Sequence, residues 1–325
     1  MKLICYNFFE KFQRKSGEIM LFFQNYSLLN LLAFMGVFLG LIIINELTRR
    51  SKVLSMMTYI ILPIVFTFFL WGKTPNENTD GNWFAWVKTY SALAGVVGFM
   101  AIRYFKKLQK NKWVLLFPGL ILSINIFEAV LRDFEVFSKN NVIENGLTLI
   151  GGPWNIINGI AGILSIITIT GWFGIKVAKT KSQDMIWADQ QWFWVIAYGI
   201  WNLSYVYNCI PERAFYAGVA LIFSSTLLAF FSTKGAWLQH RAQTLALWAM
   251  FTLTFPSYDQ SEYFNIISTN SSIAKYILSI AAILINLGVL IYEIYTVKKI
   301  KMNPFAHEIY QDLSSYKEII SINQL

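Results

Sequence analysis

Residues 27–46 read SLLNLLAFMGVFLGLIIINE, with no charged side chain before Glu46. A helix rises about 1.5 Å per residue, so such a run covers the roughly 30 Å of hydrocarbon in a bilayer. Apolar length and breakers mark eight further runs of this kind, at 53–72, 83–103, 113–131, 153–178, 186–209, 212–232, 237–256 and 273–297. All are expected to be helices, because backbone groups in hydrocarbon must be satisfied within the segment and none of the runs alternates like a barrel strand. The run at 237–256 is the most polar at its start (Gln239, His240, Arg241, Gln243), and its helix is expected to begin nearer Thr244.

The whole chain fits this reading. Its 325 residues are 56% hydrophobic, 17% aromatic and 14% charged, and the mean hydropathy is +0.48. That excludes a water-soluble enzyme, a secreted disulfide scaffold and a nucleic-acid reader. Cys5 and Cys209 are too distant in sequence for a disulfide framework and have no metal-ligand spacing. The expected fold is an all-α polytopic bundle over 27–297, with a leader at 1–26 and a cytoplasmic tail at 298–325.

The net charge of +9 is explained by loop bias. Alternate loops collect Arg49, Arg50 and Lys52, then Arg103 to Lys112, then Lys176, Lys179 and Lys181, then Lys234, while the tail adds Lys298, Lys299, Lys301 and Lys317. Cytoplasmic connections retain such residues, so the C-terminus is expected inside the cytoplasmic membrane. Nine crossings then put the N-terminus outside, although Lys2, Lys11, Arg14 and Lys15 oppose that placement. Either residues 1–19 do not belong to the mature protein and Met20 is its start, or a basic interfacial helix precedes a different span count. In the tail, Asn303 and Pro304 read as the start of a short helix whose apolar face (Phe305, Ile309, Leu313, Tyr316, Ile320) lies along the membrane interface.

Polar groups at membrane depth are costly and mark cavities, helix contacts or ion paths. Helical rise puts Lys88 about 8 Å below the outer end of its span and Glu128 about 5 Å below that of the next, where they are able to pair for gating or coupling. Pairing of Glu128 with Arg132 is the alternative. The segment Gly151-Gly152-Pro153-Trp154-Asn155-Ile156-Ile157-Asn158-Gly159 opens a helix with two amides on one face, and Gly159 with Gly162 permits close packing. Trp201, Tyr205 and Asn208 follow i, i+4, i+7, with Asn202 alongside, and this aromatic and amide stripe suits a pocket for a small polar molecule. Glu212 and Arg213 sit at its mouth. Glu46, Asp189, Arg241 and Glu293 read as snorkelling or interfacial charges. Asn286, deep in the last span, reads as helix glue or part of a path.

His240 and His307 are the only histidines, so metal sites and a catalytic triad lack material, and no phosphate loop is present. No enzyme activity, metal or cofactor is expected. With basic inner loops and the Trp154-Asn155 and Trp201-Asn202 pairs in outer halves, the chain resembles uncharacterised bacterial multi-pass membrane families of unknown function. The Trp-Asn pairs are also similar to elements of small sugar and vitamin-precursor facilitators, a likeness limited to those pairs that transfers no site. Two functions are carried forward. One is a facilitator or ion-coupled carrier for a small uncharged or zwitterionic solute, hydrogen-bonded by Asn155, Asn158, Asn202, Tyr205 and Asn208 and stacked on Trp201. The other is a membrane-embedded ligand sensor or assembly subunit. The expected partners are the lipid bilayer and the solute, with the oligomeric state left open.

Overall fold

The computed structural model describes residues 21–73, 83–144 and 146–325. The expectations for the leader at 1–19 and for a start at Met20 fall outside the described residues. Ten helical segments run through the rest: α1 Leu28–Arg50, α2 Lys52–Phe69, α3 Trp83–Tyr104, α4 Lys112–Val136, α5 Pro153–Ile167, α6 Trp192–Cys209, α7 Phe215–Ser232, α8 Trp237–Thr254, α9 Ser272–Ile300 and α10 Ser314–Ile322. Three antiparallel ribbons join them: β1 Phe23–Gln24 with β6 Ile267–Ser268, β2 Asn140–Glu144 with β3 Leu147–Ile150, and β4 Ile175–Val177 with β5 Met185–Trp187. Five segments (α1, α2, α4, α7 and α9) are long and apolar enough to cross a membrane, whereas α5 is shorter.

Local chemistry sets many of the boundaries. Ser27 and Asn30 form a reciprocal capping box at the start of α1. Pro153 occupies the first turn of α5, where its missing N–H costs nothing. Lys301, at φ 57°, closes α9 in the left-handed conformation. Wide π turns interrupt α2 at Met57–Ile61 and form both ends of α7.

One helix lies in each of the nine apolar runs, with three corrections. The run 153–178 is helical only to Ile167, and the chain from Thr168 to Gln191 folds back as the β4–β5 ribbon, so the helix expected from residue 186 begins at Trp192. The helix is capped at Thr168 within the β-branched series Ile166-Ile167-Thr168-Ile169-Thr170, Gly171 at φ 59° then keeps the chain out of a helix, and apolar length alone cannot tell such a segment from a helix. The run 113–131 extends to Val136, which brings Asp133 inside the helix. The helix in 237–256 begins at Trp237, not near Thr244. Its polar first turns are buried against partners: Gln239 Nε2 donates to Asp184 Oδ1 at 2.8 Å, and His240 Nδ1 lies 2.8 Å from Asn45 Oδ1.

The segments alternate in direction, so β1, β2–β3 and β6 gather at one end of the bundle, the loop end. The ribbon β4–β5 lies with the chain after α9 at the other, the tail end. α5 packs on α4 and α9, α6 on α9, and α8 on α3 and α7. Gly162 makes the α4–α5–α6 junction possible, since a Cβ there would stand 2.5 Å from Val130 Cγ2 and 2.7 Å from Trp201 Nε1. Trp194, Tyr198 and Trp237 interlock toward the tail end, with Tyr198 and Trp237 ring centroids 4.8 Å apart.

The tail departs from expectation. Asn303 and Pro304 begin a single turn, and the helix starts only at Ser314. The backbone from 304 to 310 is used in docking: Gly171 N–H donates to Pro304 O at 2.8 Å, and Trp172 N–H to Phe305 O at 3.2 Å. The N–H groups of Ile309 and Tyr310 donate to Asp189, at 3.1 and 2.8 Å. Tyr316 and Ile319 of α10 pack on Ile186 and Ala236. Ile309 and Tyr316 of the greasy face expected at the membrane interface are therefore buried against protein while Phe305 stays exposed, and Asp189 is a buried anchor instead of a snorkelling charge.

Candidate functional site

A cavity of about 610 Å³ lies among α3, α4, α6, α7 and α8. Its rim is at the loop end, formed by part-exposed Arg132, Glu135, Glu144 and Arg213. Its walls carry Lys88, Thr89 and Asn125 on one side, Tyr205 and Ala217 on another, and Trp248 and Thr252 on a third. Tyr198, Asn202 and Arg241 lie at its deep end. From Cys209 to Tyr198 along α6 the lining descends about 16 Å, so the cavity reaches about halfway through a bilayer's hydrocarbon thickness. Below it the Trp194–Tyr198–Trp237 group fills the bundle.

The cavity takes two of the six side chains expected to bind solute. Asn202 and Tyr205 line it. Tyr205 stacks on Trp201 with centroids 6.3 Å apart and planes at 18°, and among the described residues its hydroxyl has no hydrogen-bond partner. The other four are sealed. Asn155 Nδ2 donates to Asp133 Oδ1 at 2.9 Å and Asn158 Nδ2 to Asp133 Oδ2 at 2.7 Å, with Cys209 Sγ 3.4 Å from the same carboxylate. Asp133, Asn155 and Asn158 are wholly buried at 0% exposure, so these amides face a neighbouring helix and not a solute. Trp201 is buried behind Tyr205 and donates from Nε1 to Asn158 O at 3.1 Å, so it offers no stacking face. Asn208 Nδ2 reaches Ser279 Oγ on α9 at 3.3 Å. For Asn155 and Asn158 the cause is that α4 runs past its apolar stretch to Val136, so that Asp133 supplies the acceptors that loop reading left out.

Lys88 and Glu128 do pair. Lys88 Nζ stands 3.5 Å from Glu128 Oε2, with Lys88 on the cavity wall. The alternative partner of Glu128 is engaged elsewhere, since Arg132 pairs with Glu135 at 2.7 Å and Glu144 at 2.9 Å. At the mouth, Glu212 and Arg213 do not pair with each other: Arg213 Nε meets Asp259 at 2.7 Å, and Glu212 accepts the Thr148 N–H at 2.9 Å. Asn286 bridges three helices, accepting from Ser165 Oγ at 2.7 Å and donating to Ala197 O at 3.3 Å. That is the helix-glue reading.

Arg241, which the sequence reads as a snorkelling or interfacial charge, is instead buried in the bundle. It is buried at 7% exposure, on the cavity side of α8, where its Nη2 donates to Asn202 Oδ1 at 3.3 Å. A signal was present, because polar residues at 239, 240, 241, 243 and 244 spread over about 200° of a helix's circumference and cannot all face one interface. Among the described residues no group of three or more His, Cys, Asp or Glu is placed to hold a metal ion.

The sequence from 24 to 322 matches the model of a family of unknown function, DUF5692. The match covers most of the chain, which therefore belongs to that family. No curated protein and no solved structure matches it.

Proposed function

We propose that this member of a family of unknown function is a nine-crossing protein of the bacterial cytoplasmic membrane, with its C-terminus inside, that passes a small polar solute through the cavity as a facilitator or ion-coupled carrier. The observation that carries the reading is the cavity itself. Its volume of about 610 Å³ is that of a small-molecule site, and hydrogen-bonding groups of Asn202 and Tyr205 are presented beside aromatic rings. The basic loops and tail support the orientation, with the loop end outside. The Lys88–Glu128 pair stands at the cavity wall, where separation of the two charges would change access or protonation.

In an alternating-access scheme the Trp194–Tyr198–Trp237 group is the inner barrier, and passage requires it to part. Swelling of proteoliposomes in isotonic small polar solutes, followed by light scattering, tests the reading. At least one solute is expected to enter faster than into empty liposomes, and Ala217→Trp, which fills the wall, is expected to abolish the difference. Equal rates for every solute overturn the carrier reading. A sensor is the second reading, favoured by the tail being built into the bundle below that aromatic barrier through Asp189. It predicts no flux, with ligand-dependent protection of the tail from protease.

A further inference from the structure

The charges around the cavity do not balance at its deep end. Lys88 has Glu128 at 3.5 Å, Arg132 has Glu135 at 2.7 Å, and Arg213 has Asp259 at 2.7 Å. Arg241 has no carboxylate within 4.0 Å among the described residues, and it is more deeply buried than any of those three. Among the described residues its guanidinium makes one hydrogen bond, to the neutral Asn202, while Nε and Nη1 are buried without an acceptor. Arginine stays protonated in proteins, so this is a fixed positive charge with unused donors at the end of a chamber that opens outward. An unpaired buried cation is strongly unfavourable, which makes the arrangement understandable if the missing anion arrives as ligand.

We propose that the cavity binds a small organic monocarboxylate, with its carboxylate on Arg241 and Asn202 and its apolar body against Tyr198, Tyr205 and Trp248. This rests on reading the cavity as a solute site, and it replaces the uncharged or zwitterionic solute expected from sequence. The fork of a guanidinium matches a carboxylate, and the Asn202 Nδ2, which has no hydrogen bond to any described residue, adds a neutral donor. A single negative charge is indicated because one cation is uncompensated, and a second anionic group would meet Glu135 and Glu144 toward the rim. An organic body is indicated because an inorganic anion would leave the ring-lined part of about 610 Å³ empty of anything but water.

The test uses the full chain in lipid nanodiscs. Benzoate, phenylacetate and hexanoate are each titrated against their amides, with tryptophan fluorescence as the readout. At least one carboxylate is expected to bind about tenfold or more tightly than its amide, the ratio that a charge-assisted pair supplies. Arg241→Gln is expected to bring acid and amide within about twofold, and Arg241→Lys to lie between. The empty Arg241→Gln protein is expected to melt no lower than the parent, since an uncompensated charge is removed.

Equal binding of all three acids and their amides overturns the proposal. So does displacement of a bound acid by equimolar chloride or phosphate, which would mark an inorganic-anion site. A lower melting temperature of Arg241→Gln with carboxylate preference retained also overturns it, by showing the arginine to be structural. Labelling of Ala217→Cys by a membrane-impermeant thiol reagent separates the two levels. Labelling without carboxylate preference removes only the monocarboxylate, whereas neither labelling nor binding removes the solute cavity as well.

Discussion

Asp133 gathers two amides and a thiol around one buried carboxylate, and with them the ends of α4, α5 and α6. Its replacement by alanine leaves the Nδ2 groups of Asn155 and Asn158 without acceptors in a site that water does not reach. Each orphaned donor costs about 1–3 kcal/mol, so Asp133→Ala is expected to destabilise by about 2–5 kcal/mol. Asn155→Ala, which removes one donor and leaves the carboxylate its other partners, is expected to cost less, about 1–2 kcal/mol. Denaturant unfolding in detergent measures both, and an unchanged midpoint for Asp133→Ala would remove the carboxylate from the role of clamp. At this scale the sequence indicates which residues are polar at depth, but not whom they meet. Asn155 and Asn202 look alike as Trp-Asn pairs, yet one is sealed on an aspartate and the other lines a cavity. The difference lies in a neighbouring helix that no spacing within their own segments reports.

At the scale of elements, the tail and the β4–β5 ribbon form one docked unit. Asp189 is its staple, holding Ile309 and Tyr310 by their N–H groups and the Thr170 hydroxyl at 2.6 Å. Gly235, at φ 85°, admits the close approach of Ile319, whose Cγ2 would stand 2.6 Å from any Cβ there. Burial pushes the Asp189 carboxyl up to about 6, with Glu308 adding to the rise, while Thr170 and the two backbone N–H groups pull it down. A carboxyl that titrates higher when docked than when released holds a proton that the released tail lacks. That contribution is present in full below the ordinary carboxylate range and is lost as pH rises through about 6.

Tryptic cleavage at Lys301 and Lys317 is therefore expected to be slower at pH 5 than at pH 8, after correction for trypsin's own pH profile. Asp189→Asn is expected to flatten that dependence and Asp189→Ala to expose the tail at both values. Equal cleavage of Asp189→Ala and the parent would show the staple to be dispensable. The existence of the long apolar helices was legible because a run of apolar residues long enough to cross a bilayer has few alternatives. The break before the ribbon was not, since Ile169-Thr170-Gly171-Trp172-Phe173 is as apolar as a helix, and the carbonyls that Gly171 and Trp172 donate to lie more than a hundred residues away in the tail.

Over the whole molecule, alternating helices place the β2–β3 ribbon and the tail at opposite ends, which is the arrangement nine crossings require. With Cys5 and Cys209 replaced, Ser138→Cys and Lys181→Cys are expected to label from opposite sides of sealed vesicles. Labelling from one side would overturn the nine-crossing reading. The amino-acid sequence by itself determined the all-α class with helices apolar enough to cross a membrane, the approximate positions of nine helices and the loop bias of basic residues, because hydrocarbon solvation acts on each segment independently of its neighbours. Which polar side chains close on one another and which surround open space was decided only by tertiary structure. A buried amide, carboxylate or guanidinium takes its role from the partners that other helices bring, as the sealing of Asn155 and Asn158 on Asp133 and the unpaired Arg241 both illustrate.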